Sequence, residues 1–325
     1  MVLIADLIPD GPGTPPHLRR DLEQTDIRTL QELREAVETL GIPLVHYDNP
    51  KVLADHAAEH SDDVVLSIFG GSASRSRMAL VPAICETFGL AYVGPDAYGR
   101  IICQDKEVSK TLAATAGLTT APHRLVRSPA DIDKISDFPL PYVAKPLWEG
   151  SSIGIGADNL ITSRQRGASV LRDLLQHFRQ PIMAESFVPG REVSWCFING
   201  EEQRPLRAMA EVIWNGDPRY FDTHLYDAPH KLMAEGRKTV RTITEELRPA
   251  DAEAMERLLT LVGPIGYGRV DGKLKDGVFV FIEITPDAWL GSSGSLASSF
   301  GGYGLIYAEV IAQVLLSARK GPPGL

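Results

Sequence analysis

Hydrophobic residues in the first hundred positions form short runs separated by amphipathic stretches. The runs are rich in branched aliphatic residues, as buried strands are, and they cover residues 2–8, 42–48, 62–69 and 90–94. Between the first two runs, apolar residues recur at helical spacing, which predicts a helix. Thr25 or Asp26 is suited to cap its start, and Gly41 ends it. A second helix is predicted over 78–89. This alternation predicts a parallel α/β sheet.

The pattern changes near residue 100, where hairpins begin to alternate with helices. Helices are predicted over 105–118, 163–178, 250–266 and 305–318, with a helix start at 128–135. Strands are predicted over 122–126, 142–145, 181–187, 191–200 and 205–214, with a hairpin over 267–286. Turns are expected at Asn199-Gly200 and Lys275-Asp276-Gly277. The segment 214–238 shows no hydrophobic periodicity and is a candidate lid. The segment 291–302 is rich in Gly and Ser.

The composition narrows the possible partners and compartment. Of 325 residues, 44% are hydrophobic, and the net charge of −9 argues against a broad nucleic-acid surface, which would be basic. Cys85, Cys103 and Cys196 show no zinc spacing and suit a reducing cytoplasm. The first apolar run contains Asp6 and lacks a basic region, so it is predicted to be a strand rather than a signal peptide. No apolar run has the length of a membrane span.

The most informative chemistry lies around the predicted strand that ends at Lys145. A small loop follows it, in which Glu149 and Gly150 precede Ser151 and Ser152. Glycine N–H groups and serine hydroxyls wrap phosphate oxygens, and a lysine adds a fixed positive charge. The stretch therefore predicts a polyphosphate site, and it is not a Walker A loop because GxxxxGK[ST] is absent.

A second polar group lies on the predicted 267–286 hairpin. Arg269 and Asp271 are two residues apart and therefore face the same side of a strand. Asp271 and Glu283 lie on paired strands and are placed to converge on Mg²⁺, a hard cation that prefers oxygen ligands and phosphates. An arginine beside such carboxylates is suited to stabilise charge that develops during acyl or phosphoryl transfer.

Each of these residues also has a purely structural interpretation. Lys106 alone is typical of a solvated helix, the Gly-Ser-Ser loop of a surface turn, and Glu192 of a surface strand. Asp271 and Glu283 are equally compatible with exposed hairpin charges, because buried ones would need partners or a metal. The order and combination of the residues favour the functional interpretation.

That combination resembles the ATP-grasp superfamily and, within it, the D-alanine–D-alanine ligase type. The resemblance runs from about residue 62 to 300 and rests on FGG before an apolar helix, LAYVGPD, DK-x3-K, VAKPLWEGSSIGI, AESFVPGREV and GRVD…FIEIT. It implies an α/β and α+β protein. An N-terminal Rossmann-like parallel-sheet domain over 1–100 would precede a two-subdomain ATP-grasp fold. Its small subdomain with the phosphate flap would span 101–180, and the C-terminal subdomain with the metal and substrate site 181–325.

In this family a carboxylate and ATP give an acyl phosphate and ADP, and an amine then attacks to form an amide. The resemblance therefore implies ATP and Mg²⁺ (or Mn²⁺) as cofactors and small, amino-acid-like carboxylate and amine substrates. It also implies a homodimer. With the charge and cysteine content, it predicts a cytoplasmic enzyme without nucleic-acid or membrane partners.

The resemblance implies roles for individual residues. Arg269 would stabilise the tetrahedral intermediate, and Ser152 would share the catalytic site. The metal ligands would be Asp271, Glu283 and Thr285. The nucleotide and flap contacts would be Lys106, Lys145, Glu149, Ser151, Ser152, Glu185, Ser186, Phe187, Val188, Glu192 and Lys231. Among them, Glu185 to Val188 would line the adenine pocket, and Glu192 would accept hydrogen bonds from ribose hydroxyls. The substrate contacts would be Glu23, Arg75, Tyr226, Gly291, Ser292 and Ser295.

The chain departs from the family pattern where substrates are held. Thr285 stands where the metal motif usually has Asn, and the following Pro-Gly is absent. The first loop lacks the Ser-x-Glu that holds the first ammonium, for which Glu23 or Asp21 is a candidate. SASRSR replaces an acidic pattern and brings Arg75 and Arg77, which, like the Arg19-Arg20 pair, are candidate receptors for a second carboxylate. These departures favour substrates other than two D-alanines.

Three functions therefore stay open from the sequence. The first is a carboxylate–amine ligase with altered substrates, in the biosynthesis of a specialised peptide-like metabolite. The second is a genuine D-alanine–D-alanine ligase in peptidoglycan synthesis. The third is a non-catalytic nucleotide-binding ATP-grasp protein, which Thr285 and the missing Pro-Gly would suit.

Overall fold

Three β-sheets organise the chain. The computed structural model describes residues 1–9, 14–71, 74–200 and 205–320. In the described residues the sheets have five, four and six strands. Parts of the predicted loops at 9–24 and 70–77 lie outside the described residues, as do residues 201–204 after the predicted Asn199-Gly200 turn. The division into three domains stays a prediction.

The first sheet is the predicted parallel one. Its parallel strands are β1 Val2–Ile4, β2 Val45–Tyr47, β3 Val64–Ser67 and β4 Ala91–Tyr92. Helices α1 Ile27–Thr39, α2 Pro50–Asp55 and α3 Leu80–Phe88 connect them. The Asp26 side chain accepts a hydrogen bond from the Thr29 N–H and so caps α1, which makes Asp26 the cap among the two candidates that the sequence offers. The first strand ends at Ile4, four residues earlier than predicted, and α2 is too short for its period to be detected.

Two helices lead from this sheet to the rest of the chain. They are α4 Ala97–Gln104 and α5 Lys106–Ala116, and the short strand β5 Thr119–Thr120 follows them. The Asp105 side chain accepts hydrogen bonds from the Glu107 and Val108 N–H groups, so α5 begins abruptly at Lys106. This cap places Lys106 at the start of the helix, where its side chain reaches across to the six-stranded sheet.

The four-stranded sheet is antiparallel and carries the predicted phosphate loop. Its strands are β6 His123–Val126, β7 Tyr142–Pro146, β8 Leu160–Ile161 and β9 Ile182–Ser186, in the order β6-β9-β7-β8. Helix α6 Arg164–Phe178 packs on it through the buried Leu171, Leu174 and Phe178. The helix start predicted at 128–135 forms two separate 3-10 turns instead, at Pro129–Asp131 and Asp133–Ile135.

The six-stranded sheet forms the floor of the candidate site. Its antiparallel strands are β10 Arg191–Ile198, β11 Leu206–Trp214, β12 Lys238–Thr242, β13 Tyr267–Lys275 and β14 Val278–Pro286, and β5 pairs with β14 in parallel. The predicted hairpin turn is present, with Asp276 and Gly277 in the left-handed region at φ 50° and 77°. Helix α8 Pro249–Val262 covers the face of the sheet that α5 also packs against.

The remaining elements are α7 Ala228–Leu232, α9 Ser295–Gly301, α10 Tyr307–Leu316 and β15 Arg319–Lys320. The sequence did not predict α9, because its Gly/Ser-rich composition favours a loop; buried Leu296 and Phe300, four residues apart, hold it in place. Strand β15 returns to the first sheet and pairs antiparallel with β4. No helix in the described ranges has the length and apolarity needed to cross a bilayer.

Candidate active site

A buried cluster of two lysines and one carboxylate joins the four-stranded sheet to the six-stranded one. Lys145 on β7 donates to Glu185 Oε2 on β9 at 2.6 Å, and Lys110 on α5 pairs with Glu185 Oε1. Lys110 also donates to the carbonyl oxygen of Phe281 on β14 at 3.2 Å. Burial raises the pKa of Glu185, but the two ammonium groups outweigh it, so the pKa is lowered. The two neighbouring ammonium groups therefore favour the ionised form of the Glu185 carboxylate in the interior.

Lys106 extends the positive charge toward the hairpin. Its Nζ lies 3.1 Å from Glu283 Oε2 and also donates to the main-chain oxygen of Glu149. Burial raises the pKa of Glu283, but the charges of Lys106, Lys231 and Lys145 lower it to about 2 overall. Three lysines thus surround one permanently ionised carboxylate, an arrangement suited to phosphate oxygens.

The predicted metal and catalytic residues lie together on the hairpin. Asp271 on β13 is the cross-strand neighbour of Glu283 on β14, and the register shifts just after it. Asp271 Oδ1 accepts from the Ser194 hydroxyl at 2.6 Å. Asp271 Oδ2 accepts from Arg269 Nε at 2.9 Å and from the Thr285 hydroxyl at 3.2 Å. These bonds fix the orientation of the Asp271 carboxylate.

Arg269 is held by only one of its nitrogens. Burial lowers its pKa, but Asp271, Cys196 and Glu283 raise it more, so the guanidinium stays charged. Both terminal nitrogens of Arg269 are without a hydrogen-bond partner among the described residues. They remain free to meet an oxygen that gains negative charge during a reaction.

The donor set fits a hard divalent cation. Asp271 and Glu283 face each other and supply carboxylate oxygens, and Thr285 adds a hydroxyl. In the part of the chain that the structure describes, no cluster of three or more His, Cys, Asp and Glu side chains forms a metal cage. Mg²⁺ commonly binds through one or two carboxylates plus substrate phosphates, so the pair suits Mg²⁺ shared with a nucleotide.

The Ser-Ser loop is held on two sides. Ser151 and Ser152 both adopt left-handed backbone conformations, at φ 48° and 58°. The Ser152 hydroxyl donates to the Tyr226 carbonyl oxygen at 2.8 Å, which ties the loop to the 214–238 segment predicted as a lid. The Gly154 N–H donates to the His17 carbonyl oxygen at 2.9 Å, which ties it to the N-terminal loop. The predicted flap and lid therefore contact each other directly.

The Glu149 side chain is bonded to Arg77 and Gln180 rather than to the lysines that are predicted to bind phosphate. Its carboxylate accepts from Arg77 Nη2 at 2.8 Å and from Gln180 Nε2 at 2.7 Å. Arg77 Nη2 also pairs with Glu23, whose other oxygen accepts from the Gly150 N–H at 2.8 Å. Arg77 is buried, and both carboxylates are largely shielded from solvent. Arg77 is thus occupied inside the protein, and the Glu23 carboxylate faces it rather than an open ammonium site.

The segment predicted to read adenine has one free main-chain donor. The Ser186 N–H donates to the Pro122 carbonyl oxygen at 2.9 Å, and that of Phe187 to the Pro141 carbonyl oxygen at 3.1 Å. The Val188 N–H has no hydrogen-bond partner among the described residues. Val188 is therefore the position in this segment that is free to bind a base edge.

Glu192, predicted to accept ribose hydroxyls, is paired with a lysine that the sequence did not single out. Its Oε2 lies 2.7 Å from Lys273 Nζ, which the Gly190 and Phe221 carbonyl oxygens also approach at 3.4 Å. A carboxylate held in this way still offers lone pairs to a hydroxyl. Its predicted role stays open.

The segment predicted as a lid contains Lys231 and Tyr226, which lie close to each other. Lys231 Nζ lies 5.5 Å from the Tyr226 ring centroid. Burial and the nearby Arg269 charge lower the pKa of Lys231, against the opposite influence of the site carboxylates. Burial raises the pKa of Tyr226 to about 12, so its hydroxyl stays protonated at neutral pH. Lys231 makes no ion pair with any described residue, which suits a cation that awaits a phosphate.

The predicted substrate residues fall into two places. Arg75 is exposed, and its guanidinium carbon lies 5.2 Å from the Trp148 ring centroid. The Ser292 N–H donates to Glu32 Oε2 on α1 at 2.8 Å. The loop with Ser292 also holds Gly291, where a Cβ would lie 2.3 Å from the Trp289 ring, and buried Ser295. The structure thus separates Arg75, beside the flap, from the 291–295 loop, beside α1.

Two residues, Lys110 and Arg77, make contacts in the site that the sequence did not predict. Lys110 is the second lysine of the DK-x3-K pattern, and its spacing of four from Lys106 places both on one helix face. Arg77 was predicted as a carboxylate receptor, whereas its pairs with Glu23 and Glu149 arise from long-range folding. No local pattern in the sequence reveals such a pairing.

The fold and this arrangement of lysines, flap and acidic hairpin define an ATP-grasp protein. The family model described as D-ala D-ala ligase C-terminus matches residues 112–316. The chain therefore belongs to the D-alanine–D-alanine ligase family of ADP-forming carbon–nitrogen ligases. The resemblance and the fold class predicted from the sequence are confirmed.

Individual relatives are similar over nearly their whole length. A D-alanine–D-alanine ligase of Citrifermentans bemidjiense is 26% identical over 287 residues, covering 88% of this chain and 87% of the relative. One of Thermotoga maritima is 26% identical over 305 residues, with 91% and 93% covered.

Solved structures share the fold at lower identity. D-alanine–D-alanine ligase of Bacillus anthracis, complexed with ATP, superposes with a TM-score of 0.72 at 16% identity, covering 97% of this chain and 96% of that one. A D-Ala:D-Ser ligase of Enterococcus faecalis gives 0.68 at 16% identity, covering 97% and 98%. At this identity the likeness concerns the fold alone.

Proposed function

We propose that this protein uses ATP to join a small carboxylate to a small amine, forming an amide with release of ADP and phosphate. The observation that carries the proposal is the convergence of Lys106, Lys145 and Lys231 on Glu283, which lies across the strand from Asp271. Lysines and acidic oxygen ligands in one buried place suit Mg²⁺-bound triphosphate. Mg²⁺ held by Asp271, Glu283 and the phosphates would neutralise charge on the transferred phosphoryl group.

The proposed chemistry has two steps. A carboxylate oxygen of the first substrate attacks the γ-phosphorus, and the bond to the β-phosphate oxygen breaks, so that ADP leaves with the electron pair. The amine nitrogen of the second substrate then attacks the acyl carbon. The carbon–oxygen bond to phosphate breaks, the amine gives up a proton, and an amide and inorganic phosphate remain.

The chain's residues have distinct tasks in these steps. The three lysines would hold the phosphates, and the contact between Ser152 and Tyr226 would keep flap and lid closed over them, which excludes water from the acyl phosphate. The free nitrogens of Arg269 would meet the oxyanion of the tetrahedral intermediate. Glu185 would position Lys145, because their ion pair fixes where the ammonium points.

We infer that the substrates are not simply two D-alanines. Glu23, the candidate partner for the first substrate's ammonium, is paired with the buried Arg77. A carboxylate compensated in this way attracts a second cation only weakly. A first substrate without an ammonium group near its carboxylate therefore suits this site, and a role in making a peptide-like metabolite agrees with it.

A genuine D-alanine–D-alanine ligase is the second candidate, because the two reported sequence relatives carry that name. One experiment separates the two. ADP release is measured with Mg²⁺-ATP over a matrix of carboxylates (D- and L-amino acids, and hydroxy acids of the same size) and amines. Preferred use of two D-alanines, with complementation of a ligase-deficient strain, would establish the second candidate. ATP binding without ADP release from any pair would leave a non-catalytic nucleotide-binding protein.

The predicted homodimer and cytoplasmic location belong to this proposal as well. Sedimentation of the purified protein tests the dimer. A monomer at micromolar concentration would contradict that part without affecting the proposed chemistry.

A further inference from the structure

Lys238 is a lysine at the edge of the site for which neither the sequence motifs nor the proposed chemistry gives a role. It is the first residue of β12 and is half-buried. Its Nζ donates to the Ser293 carbonyl oxygen at 3.0 Å and lies 5.7 Å from the Trp289 ring centroid. Both contacts are with the loop predicted to bind substrate. No carboxylate among the described residues forms an ion pair with Lys238.

The strand register places Lys238 on the face of the six-stranded sheet that carries the candidate site. Lys238 is the cross-strand neighbour of Trp214, and alternation along β11 and β10 puts it on the same face as Glu192 and Asp271. Arg269, two residues from Asp271, shares that face. Lys238 therefore belongs to the same surface as the catalytic arginine.

The charges around Lys238 are positive. Burial, together with the charges of Arg269 and Lys231, lowers the pKa of Lys238 to about 8. The carboxylates on this face of the sheet are already paired: Glu192 with Lys273, Asp271 with Arg269, and Glu283 with Lys106. An anion next to Lys238 would relieve this repulsion and would pair a cation that the fold leaves uncompensated.

The position of Lys238 distinguishes between the two substrates. The first substrate's carboxylate must meet the γ-phosphate, near Lys106 and Lys145. Lys106 meets Glu283 on β14, whereas Lys238 lies on the edge strand β12, which is on the opposite side of β13 and Arg269 from β14. Lys238 thus lies on the Arg269 side of the site, where the amine substrate approaches the acyl carbon.

We propose that Lys238 binds an anionic group on the side chain of the amine substrate, which makes that substrate an acidic amine such as a dicarboxylic amino acid. Trp289 would pack against the carbon chain that carries this group, and Lys238 would be a specificity-determining residue. The inference rests on the proposed ligase function, because it names the class of amine that this function consumes.

The test compares three variants with the native enzyme. Lys238→Met removes both the charge and the hydrogen bond to Ser293, Lys238→Gln removes the charge but keeps a donor, and Lys238→Arg keeps the charge. KM and kcat are measured for D- and L-glutamate and aspartate, and for alanine and serine, as amines with each carboxylate that supports ADP release. Lys275→Met, on the exposed hairpin turn, is the matched control.

We expect native enzyme to prefer the acidic amines. Both neutral variants should raise KM for these amines roughly 10- to 100-fold, the range expected for losing a charged hydrogen bond. KM for alanine, KM for ATP and the thermal midpoint should change little, and Lys238→Arg and Lys275→Met should resemble native enzyme.

Two results would overturn the inference. If native enzyme prefers neutral amines, Lys238 does not select an acidic group. If Lys238→Met raises KM equally for all amines while Lys238→Gln restores it, Lys238 only anchors the 289–295 loop. Absence of ADP release with every substrate pair is a different outcome, because it contradicts the proposed ligase function itself.

Discussion

Arg77 Nη2 and Glu149 Oε2 form a buried ion pair at 2.8 Å, although 72 positions separate them in the chain. Arg77 lies between β3 and α3 of the N-terminal part, and Glu149 begins the predicted flap. The pair therefore holds the flap against the N-terminal part of the protein.

Replacing Arg77 should destabilise the protein and loosen the flap. Arg77→Met leaves Glu23 and Glu149 buried and facing each other without a cation, which should lower the free energy of unfolding by about 3–5 kcal/mol. KM for ATP should also rise, because Gly150 loses its support from Glu23. Urea denaturation and ATP titration measure both effects. Arg75→Met is the matched control, since Arg75 is exposed and its contact with Trp148 is worth at most about 1 kcal/mol. Equal stability of the two variants would contradict the role given to Arg77.

Removing either hairpin carboxylate should abolish turnover without unfolding the protein. Asp271→Asn and Glu283→Gln keep the shape of each side chain but remove a negative oxygen ligand, so Mg²⁺ should bind the nucleotide complex more weakly. We expect kcat to fall at least roughly 100-fold. Calorimetric titration of Mg²⁺ into the protein with a non-hydrolysable ATP analogue measures metal binding separately from activity. Near-normal kcat in Glu283→Gln would show that the metal lies elsewhere.

Arg269 should matter for the rate and not for nucleotide binding. Its two terminal nitrogens make no hydrogen bond with a described residue, so Arg269→Lys should leave the Kd for ATP almost unchanged. The kcat should fall roughly 100- to 1,000-fold, because the lost interaction forms only when charge develops on the intermediate. Single-turnover measurement of acyl phosphate formation and of its consumption by the amine separates the two steps. A loss confined to the first step would contradict this role.

The titration of Lys238 should appear in the pH dependence of selectivity. Its pKa is about 8 in the folded protein, below the ordinary value of 10.5, so it loses its charge as the pH rises through 8. The KM ratio of glutamate to alanine should therefore rise above pH 8, and comparing two amines cancels the titration of the amino group itself. Lys238→Arg should keep the ratio flat to higher pH. A flat ratio in native enzyme would contradict the assignment.

The same shift has a consequence for stability. Between pH 8 and 10.5 the unfolded chain holds a proton on Lys238 that the folded protein has released. The unfolded state therefore binds more protons, and folding stability gains with rising pH in this window. Lys238→Met should lack this gain, which thermal denaturation at several pH values measures.

The sequence predicted the elements whose patterns are local. The cap at Asp26, the turn at Asp276-Gly277 and the alternation of strands in the first sheet all depend on neighbouring residues, and the structure agrees with them. Helix α9 was missed because Gly and Ser favour loops, and its stability comes from burying Leu296 and Phe300. Tertiary packing of this kind overrides propensity and leaves little trace in composition.

The residues of the site also fall into two groups: those that local motifs predict, and those whose contacts form only in the folded protein. The lysines and the acidic hairpin belong to motifs with fixed spacing, so they could be proposed from the sequence. The partner of Glu23 could not, because Arg77 meets it only after the chain has folded. Lys238 was missed for a related reason, since its approach to Ser293 depends on the register of β12 against β11.

The pairing of β15 with β4 bears on how the protein is made. Arg319 Nη2 donates to the Tyr92 hydroxyl across 227 positions of sequence, so one edge of the first sheet forms only after residue 319 has left the ribosome. Until then β4 exposes an unpaired edge, which is a template for association with other chains. The first sheet of the protein is therefore completed by one of the last segments of the chain to be made.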